Sequence, residues 1–352
     1  MSNLLQEELA KIKTSSKIFF AVLNWGLGHA TRSTVIIQEL IDLGHEVHLG
    51  SDGEAGRFLR EAFPALSYHS LPSYDVEYRF TSMFWNMLLQ GPKVLSAIAA
   101  EQKFASSLQE KEAFDLILSD NRYGVYHSSI PSILISHQLR VLSKPRWTRP
   151  INAFLIQKWL SNFNTTWIPD APNRPLSGQL SLPSDKRLPV RCIGPLSYLS
   201  SFASNEEHAP IDIVCLLSGP EPQRSKLEEI LLEVMEKHLS EYPTKKVVLI
   251  RGKISNSTSL SSDGIQIIDF CKGAELATYL SAAKLVICRS GYSSIMDLEV
   301  FGKEALFIPT PGQPEQEYLA KHISNSSDKY QYLRQNQLQK VLPLKLKELG
   351  QK

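Results

Sequence analysis

The sequence predicts an α/β protein of two doubly wound parallel-sheet domains facing each other across a cleft. Three observations predict it. Strand, loop and helix patterns alternate in two separate runs along the chain. The strand candidates are continuous apolar runs, the mark of strands buried on both faces of a parallel sheet. The length, 352 residues, exceeds what one hydrophobic core usually supports.

The first run opens with KIFFAVLN (17–24), then a glycine loop, WGLGHATRS, and a helix pattern, STVIIQELIDLGHE, with a Gly-His stop. VHLGSD (47–52), DLILSD (115–120), PSILISHQ (131–138) and TTWIPD (165–170) read as further strands. From Asn173 to Pro210 the chain is rich in Pro, Ser and Gly, and its later part reads as an interdomain linker. The second run comprises DIVCLLSG (212–219), an amphipathic helix through His238, KKVVLIRG (245–252), IQIIDFC (265–271), KLVICRSG (284–291) and EALFIPTPG (304–312). Domains of 1–197 and 198–329 follow, with a polar, helical tail behind them.

Composition bounds the function. The chain is 43% hydrophobic and 21% charged, ordinary for a soluble globular protein. A net charge of +2 argues against a dedicated nucleic-acid binder. Cys192, Cys215, Cys271 and Cys288 form no CxxC pair, so neither structural zinc nor a disulfide framework is expected, and reduced thiols in a cytoplasm are. The N-terminal MSNLLQEELAKIKTSS lacks the continuous apolar core of a signal peptide, and no stretch reaches the roughly 20 apolar residues that span a bilayer.

Ligands of open parallel sheets bind outside the carboxyl ends of the strands. In the first run those ends carry Gly28-His29, Asp120-Asn121-Arg122 and His137-Gln138. In the second they carry Ser218-Gly219, Arg251-Gly252, Arg289-Ser290-Gly291 and Thr310-Pro311-Gly312. Any one such end is explained by turn chemistry; the clustering of His, Asp, Asn, Arg and Gln on one edge is not. At ICRSG (287–291) the first amides of the following helix lack intrahelical partners, and Gly291 lets a ligand approach. Those amides and the helix dipole suit a phosphate, whose charge then needs no metal ion. No metal site and no cofactor are expected.

The stretch CRSGYSSIMDLEVFGKEALFIPTPGQPEQEYLA resembles the donor-binding segment of the peptidoglycan N-acetylglucosaminyltransferases, glycosyltransferase family 28, without gaps from Cys288 to Tyr318. The resemblance implies the GT-B fold, two Rossmann-like domains with the acceptor on the first and the nucleotide-sugar on the second. It also implies a C-terminal helix (330–352) that returns to the first domain. Carried over, Ser290 and Gly291 match the phosphate-contacting turn, and Gln316 matches a sugar-contacting glutamine. Asp297 stands where the family binds ribose with a glutamate, and Phe270-Cys271 resembles the uracil-contacting turn. Departures are Glu317 for a second glutamine, Ala320 for an asparagine, and a first loop reduced to Gly28-His29. The glycine-rich loop of the second domain is here Ser218-Gly219-Pro220-Glu221-Pro222-Gln223-Arg224, whose prolines remove amide donors; Gln223 or Arg224 would serve in their place.

The expected activity is inverting, metal-independent transfer from a nucleotide-sugar, a UDP-sugar by the resemblance, to a glycolipid or polysaccharide-precursor acceptor. His29 is the candidate base and Asp120 its rival. Gly28, Asn121, Arg122, His137 and Gln138 are the acceptor-side candidates; Ser218, Gly219, Arg224, Phe270, Cys271, Arg289, Ser290, Gly291, Asp297, Gln316 and Glu317 are the donor-side ones. From Asn121 to Ile168 there is no Asp or Glu, while Arg122, Arg140, Lys144, Arg146, Arg149 and Lys158 are cationic. That run reads either as a solvated basic face or as a surface for anionic lipid on the inner face of the cell membrane. The apolar stretch 80–98, around a Gly-Pro break, reads either as a shallow insertion patch or as core. Two other functions fit the same fold: a non-hydrolysing sugar-nucleotide 2-epimerase, and an inactive nucleotide-sugar-binding protein.

Overall fold

The computed structural model describes residues 3–74, 83–142, 149–203, 208–253, 261–262 and 264–349. The chain divides into two compact units, Met1–Ser197 and Tyr198–Lys352.

The first unit runs α1 (Asn3–Leu9), β1 (Lys17–Val22), α2 (Leu27–Asp42), β2 (Glu46–Ser51), α3 (Gly53–Ala62), β3 (Ser67–Ser70), α4 (Met83–Glu112), β4 (Leu116–Asp120), β5 (Ser132–Ile135), α5 (Arg149–Leu160), β6 (Thr165–Ile168) and β7 (Val190–Cys192). Its sheet has the order β3-β2-β1-β4-β5-β6-β7, and every pairing is parallel. The strands are the apolar runs of the sequence: Ile18, Phe20, Leu49, Leu118 and Ile135 are fully buried. Helix α2 ends as its Gly-His sequence implies. Gly44 takes φ +79°, and the amides of Gly44 and His45 close back on the carbonyls of Ile41 and Leu40.

The second unit runs β8 (Ile211–Leu216), α6 (Gln223–Glu241), β9 (Val247–Ile250), β10 (Ser261–Ser262), β11 (Ile265–Ile268), α7 (Gly273–Ala282), β12 (Ala283–Cys288), α8 (Tyr292–Val300), β13 (Glu304–Phe307), α9 (Pro314–Ser326), β14 (Tyr330–Tyr332) and α10 (Leu338–Leu349). The sheet order is β10-β11-β9-β8-β12-β13-β14, parallel except for the two-residue edge strand β10. Leu227, Leu231 and Met235, spaced by four along α6, seal its face against the sheet.

Three expectations change. The C-terminal helix belongs to the second unit: Leu338, Leu342 and Leu346 of α10 are buried in that unit's core, and Lys347 Nζ reaches Glu241 of α6 at 2.8 Å. Burying leucines at this spacing is worth about 1.5–3 kcal/mol each, which sets where the tail docks. Helix α2 begins at Leu27 rather than after a loop running through Ser33, because Gly26 at φ +74° completes the turn alone. Helix α4 continues through Gly91-Pro92, where a break was expected. The edge strands β3, β7 and β14 are too short and polar to show a strand pattern.

Candidate functional site

In the first sheet the strand order reverses between β1 and β4, and Val22 is paired with Asp120 across that point. A crevice forms outside the carboxyl ends of two such strands. The β1–α2 turn delivers His29 in the first helical turn to one side of it, and β4 ends on Asp120 at the other. His29 Nδ1 lies 2.7 Å from Asp120 Oδ1.

Asp120 is fully buried and surrounded by donors. Arg32 Nε donates to Oδ2 at 2.7 Å, Ser33 Oγ to the same oxygen at 2.9 Å, and Arg32 Nη2 to Oδ1. Burial alone would push this carboxyl up, but Arg32 and His29 outweigh it and hold Asp120 far below the usual carboxylate range. A permanently ionised carboxylate only accepts, so His29 Nδ1 carries a proton and donates it to Asp120. Arg32 Nη2, 2.9 Å from the same ring nitrogen, therefore lies beside it without a hydrogen bond. The lone pair is left on Nε2. Burial and the Arg32 charge lower the His29 pKa against the pull of Asp120, so the imidazole is neutral at neutral pH. A neutral ring in a fixed tautomer, with its lone pair on Nε2, has what a general base needs.

Around this pair, His137 Nδ1 accepts from Arg32 Nη1 at 3.2 Å. Asn121 takes φ +57°, and its Oδ1 is buried without a partner among the described residues. Gly28 lies in the first turn of α2, its carbonyl accepting from Thr31 Oγ1 at 3.2 Å. Gln138 is half-buried, and its amide donates to Ser136 Oγ. Arg122 is a correction. It is fully buried and donates to the carbonyls of Val22 and Pro72 and to Glu101 and Asp52, so its guanidinium ties β1, α4 and the β2–α3 turn together and offers nothing to an acceptor.

In the second sheet the order reverses between β8 and β12, with Leu216 paired to Cys288. Ser218-Gly219 follow one strand and Arg289-Ser290-Gly291 the other. Helix α8 starts on Gly291 with no side-chain cap and no acidic residue in its first turn, and the Ser293 and Ser294 amides have no acceptor among the described residues, which leaves them for an anion. Ser290 is buried and its hydroxyl donates to the Gln316 carbonyl at 2.8 Å, which leaves main-chain amides rather than this hydroxyl to meet a ligand. The Gln316 side chain folds back: Oε1 accepts the Thr310 amide at 2.9 Å. Glu317 Oε1 accepts from the Gly312 amide at 3.3 Å.

The cations of this edge differ in what balances them. Arg251 donates to Glu228 at 2.7 Å and Asp269 at 2.9 Å. Arg224, expected to hold phosphate, is instead buried, paired with Glu221 and Glu228 and donating to the Arg251 carbonyl. Arg289 has no carboxylate among the described residues. Its guanidinium, 1% exposed, donates to the carbonyls of Ile308, Pro309 and Gln223 and so joins the β13–α9 loop to the start of α6. Burial lowers its pKa to about 10, which leaves it charged at neutral pH. Phe270 is exposed, whereas Cys271 is buried with its thiol pushed up to about 12 by burial. Asp297 is half-buried on the second turn of α8. Among the described residues no three His, Cys, Asp or Glu side chains stand together as a metal site.

The expected residues thus gather in two groups, His29, Asp120, Asn121 and His137 in the first unit, and Ser218, Gly219, Arg289, Ser290, Gly291 and Gln316 in the second. Arg32 and Ser33 are not singled out by the sequence, and Thr310 enters only as a strand end. Arg32 and Ser33 follow His29 by three and four residues, the spacing of one helical face, a signal hidden by reading HATRS as loop.

Two Rossmann-like parallel-sheet units, each with its polar residues at the strand-order reversal, are the GT-B architecture of glycosyltransferases. The glycosyltransferase family 28 C-terminal domain matches residues 223–352, and glycosyl transferase family 1 matches residues 16–133. Residues 223–352 thus carry the glycosyltransferase family 28 C-terminal domain, and the chain is a glycosyltransferase. It is similar to the glycotransferase of kitacinnamycin, at 16% identity and a TM-score of 0.69, over 97% of this chain and 92% of that one. Acinetobacter baumannii MurG matches at 14% identity and a TM-score of 0.59, over 95% and 91%. A Listeria monocytogenes protein designated a UDP-N-acetylglucosamine 2-epimerase matches at 11% and 0.58, over 95% and 88%. No curated protein matches the sequence.

Proposed function

We propose that the chain moves a sugar from a nucleoside diphosphate sugar to an acceptor hydroxyl with inversion at the anomeric carbon and without a divalent metal. In the first unit His29 Nε2 takes the acceptor proton, while Asp120 holds the ring in the Nδ1–H tautomer. The acceptor oxygen forms its bond to the anomeric carbon as the bond to the diphosphate breaks. The electron pair leaves on the diphosphate, whose charge meets the Ser293 and Ser294 amides at the start of α8 and the field of the uncompensated Arg289. The observation that carries the reading is the His29–Asp120 contact of 2.7 Å, which fixes a basic nitrogen at the β1–β4 reversal. A nucleotide-sugar-binding protein has no use for such a pair.

The test is a panel of UDP-, TDP- and GDP-sugars, with and without sugar acceptors, in excess chelator. Release of nucleoside diphosphate by the wild type and its loss in His29→Ala, with donor affinity retained, supports the reading. Binding without turnover supports a sensor, and appearance of the C2 epimer supports an epimerase.

The acceptor in this reading is lipid-linked, and the protein works at the inner face of the cell membrane. Among the described residues no helix is long and apolar enough to cross a membrane. On α5, in the acid-free stretch, Ile151 and Phe154 are 56% and 68% exposed, a shape suited to shallow insertion beside basic residues. Lys144 and Arg146 lie outside the described residues, as does the first part of 80–98, and Arg122 is buried away from any such surface. Binding to anionic vesicles that fades with salt and is lost in Arg146→Glu/Arg149→Glu supports this placement. Equal binding to neutral vesicles counts against it.

A further inference from the structure

The loop between β13 and α9, residues 308–313, has almost no main-chain donors to offer. Pro309 and Pro311 have no N–H. The Ile308 amide donates to the Cys288 carbonyl, the Gly312 amide to Glu317, and the Thr310 amide to Gln316 Oε1. The Thr310 carbonyl is also occupied, accepting from the Gln313 amide at 3.1 Å. What remains is the Thr310 hydroxyl. Thr310 is 3% exposed, and its Oγ1 is buried with no hydrogen-bond partner among the described residues. Buried hydroxyls are rarely left so unless something absent from the free protein completes them.

The direction of the hydroxyl shows what that is. Strand order puts β8, β12 and β13 side by side, so the Thr310 loop and the Gly219 loop flank Ser290-Gly291. Thr310 Oγ1 is the single heavy atom within 4 Å of where a Cβ on Gly219 would stand, at 3.8 Å. A Cβ on Gly291 would likewise meet only Ser294 Oγ, at 4.0 Å. Open space therefore lies beside both glycines. It is bordered by the Ser293 and Ser294 amides of α8, which have no acceptor among the described residues, and Arg289, one residue before that turn, is balanced by no carboxylate among them. A site with free amides, a spare hydroxyl and an unbalanced cation takes an anion.

We propose that the Thr310 hydroxyl binds the donor, hydrogen-bonding a non-bridging phosphate oxygen of the nucleoside diphosphate together with the α8 amides. The inference rests on the glycosyltransferase reading above and adds a residue on which that reading does not depend. Gln316, by fixing the Thr310 amide, positions the hydroxyl, and Arg289 holds the loop through Ile308 and Pro309.

Thr310→Val removes the hydroxyl and keeps the shape; Thr310→Ser keeps the hydroxyl. Affinities of the full chain for UDP, TDP and GDP and for the matching nucleosides are measured by calorimetry, with melting temperatures of the free proteins. The expected result is a roughly ten- to hundredfold loss of diphosphate affinity in Thr310→Val, the scale of a hydrogen bond to a charged group. Nucleoside affinity stays unchanged, Thr310→Ser restores most of the loss, and Thr310→Val melts no lower than the wild type. If the wild type binds a diphosphate and Thr310→Val binds it equally well, the assignment is wrong although the donor reading stands. Equal losses for diphosphate and nucleoside with a lowered melting temperature make the hydroxyl structural and overturn it as well. A wild type that binds no nucleoside diphosphate overturns both.

Discussion

Replacing Asp120 by Asn separates what this carboxylate does for the fold from what it does for the chemistry. The carboxylate accepts from His29, Ser33 and twice from Arg32, all in a fully buried position. An asparagine has one acceptor oxygen and turns an NH2 group toward donors. Arg32, 4% exposed, is left without its charge partner, and breaking such a buried pair costs about 3–5 kcal/mol. The first unit should melt roughly 6–20 °C lower, at the usual few degrees per kcal/mol for a domain of this size. The imidazole also loses the group that keeps its proton on Nδ1, so turnover per folded molecule should fall by roughly two to four orders of magnitude. His29→Ala should lose turnover to the same extent but cost about 1 kcal/mol or less, because Asp120 keeps Arg32 and Ser33. The double variant should be no slower than either single one, since the two residues act as a unit. Steady-state kinetics and thermal melts of the three variants check this. Near-wild-type turnover in folded Asp120→Asn, or losses that multiply in the double variant, would refute the dyad.

The acid limb of the rate profile should lie below pH 6.5, the ordinary histidine value, because burial and Arg32 lower His29; a limb above it would assign the base elsewhere. The same shift makes the unfolded chain take up a proton first, so the His29 contribution to stability is full above about pH 6.5 and is lost as the pH falls to the folded value. Asp297→Ala should weaken nucleoside diphosphate binding by about 1–3 kcal/mol in calorimetry and erase a preference for ribose over deoxyribose; no such preference in the wild type removes the ribose role. Arg122→Met should destabilise by about 3–5 kcal/mol in denaturant melts, stranding Glu101 and Asp52, while the acceptor KM of the folded fraction holds; a raised KM would return Arg122 to the acceptor site.

The fold was legible because both of its signals are local: continuous apolar strands at regular intervals and glycines at the turns between them. The carboxyl-edge rule then placed His29, Asp120 and Ser290-Gly291 without knowledge of the strand order. What stayed hidden depends on partners far along the chain. Arg122 and Arg289 look alike in sequence, each cationic and just past a strand. One closes on Glu101 and Asp52, the other meets only carbonyls. Arg224 reads as a phosphate ligand until Glu221 is seen folded against it. The leucines of α10 have a helical pattern that names no partner, and only their burial in the core they share with α6 shows where the tail docks.

The two units treat charge in opposite ways, and that opposition suits transfer. In the first, the charges near the β1–β4 reversal are paired, Asp120 with Arg32 and Arg122 with Glu101 and Asp52, and the His29 imidazole beside them is neutral. In the second, Arg224 and Arg251 are balanced by carboxylates while Arg289 and the α8 amides are not. Proton uptake needs a base that is neutral beforehand, so a balanced neighbourhood serves it. Cleavage of the anomeric C–O bond leaves its electron pair on the phosphate oxygen, so the diphosphate gains a negative charge that the bound donor lacked, and a preset positive field serves that step more than it serves the bound ground state. Adding a carboxylate beside Arg289 would therefore cost turnover more than donor binding, whereas the same addition beside Arg224 would merely duplicate Glu221.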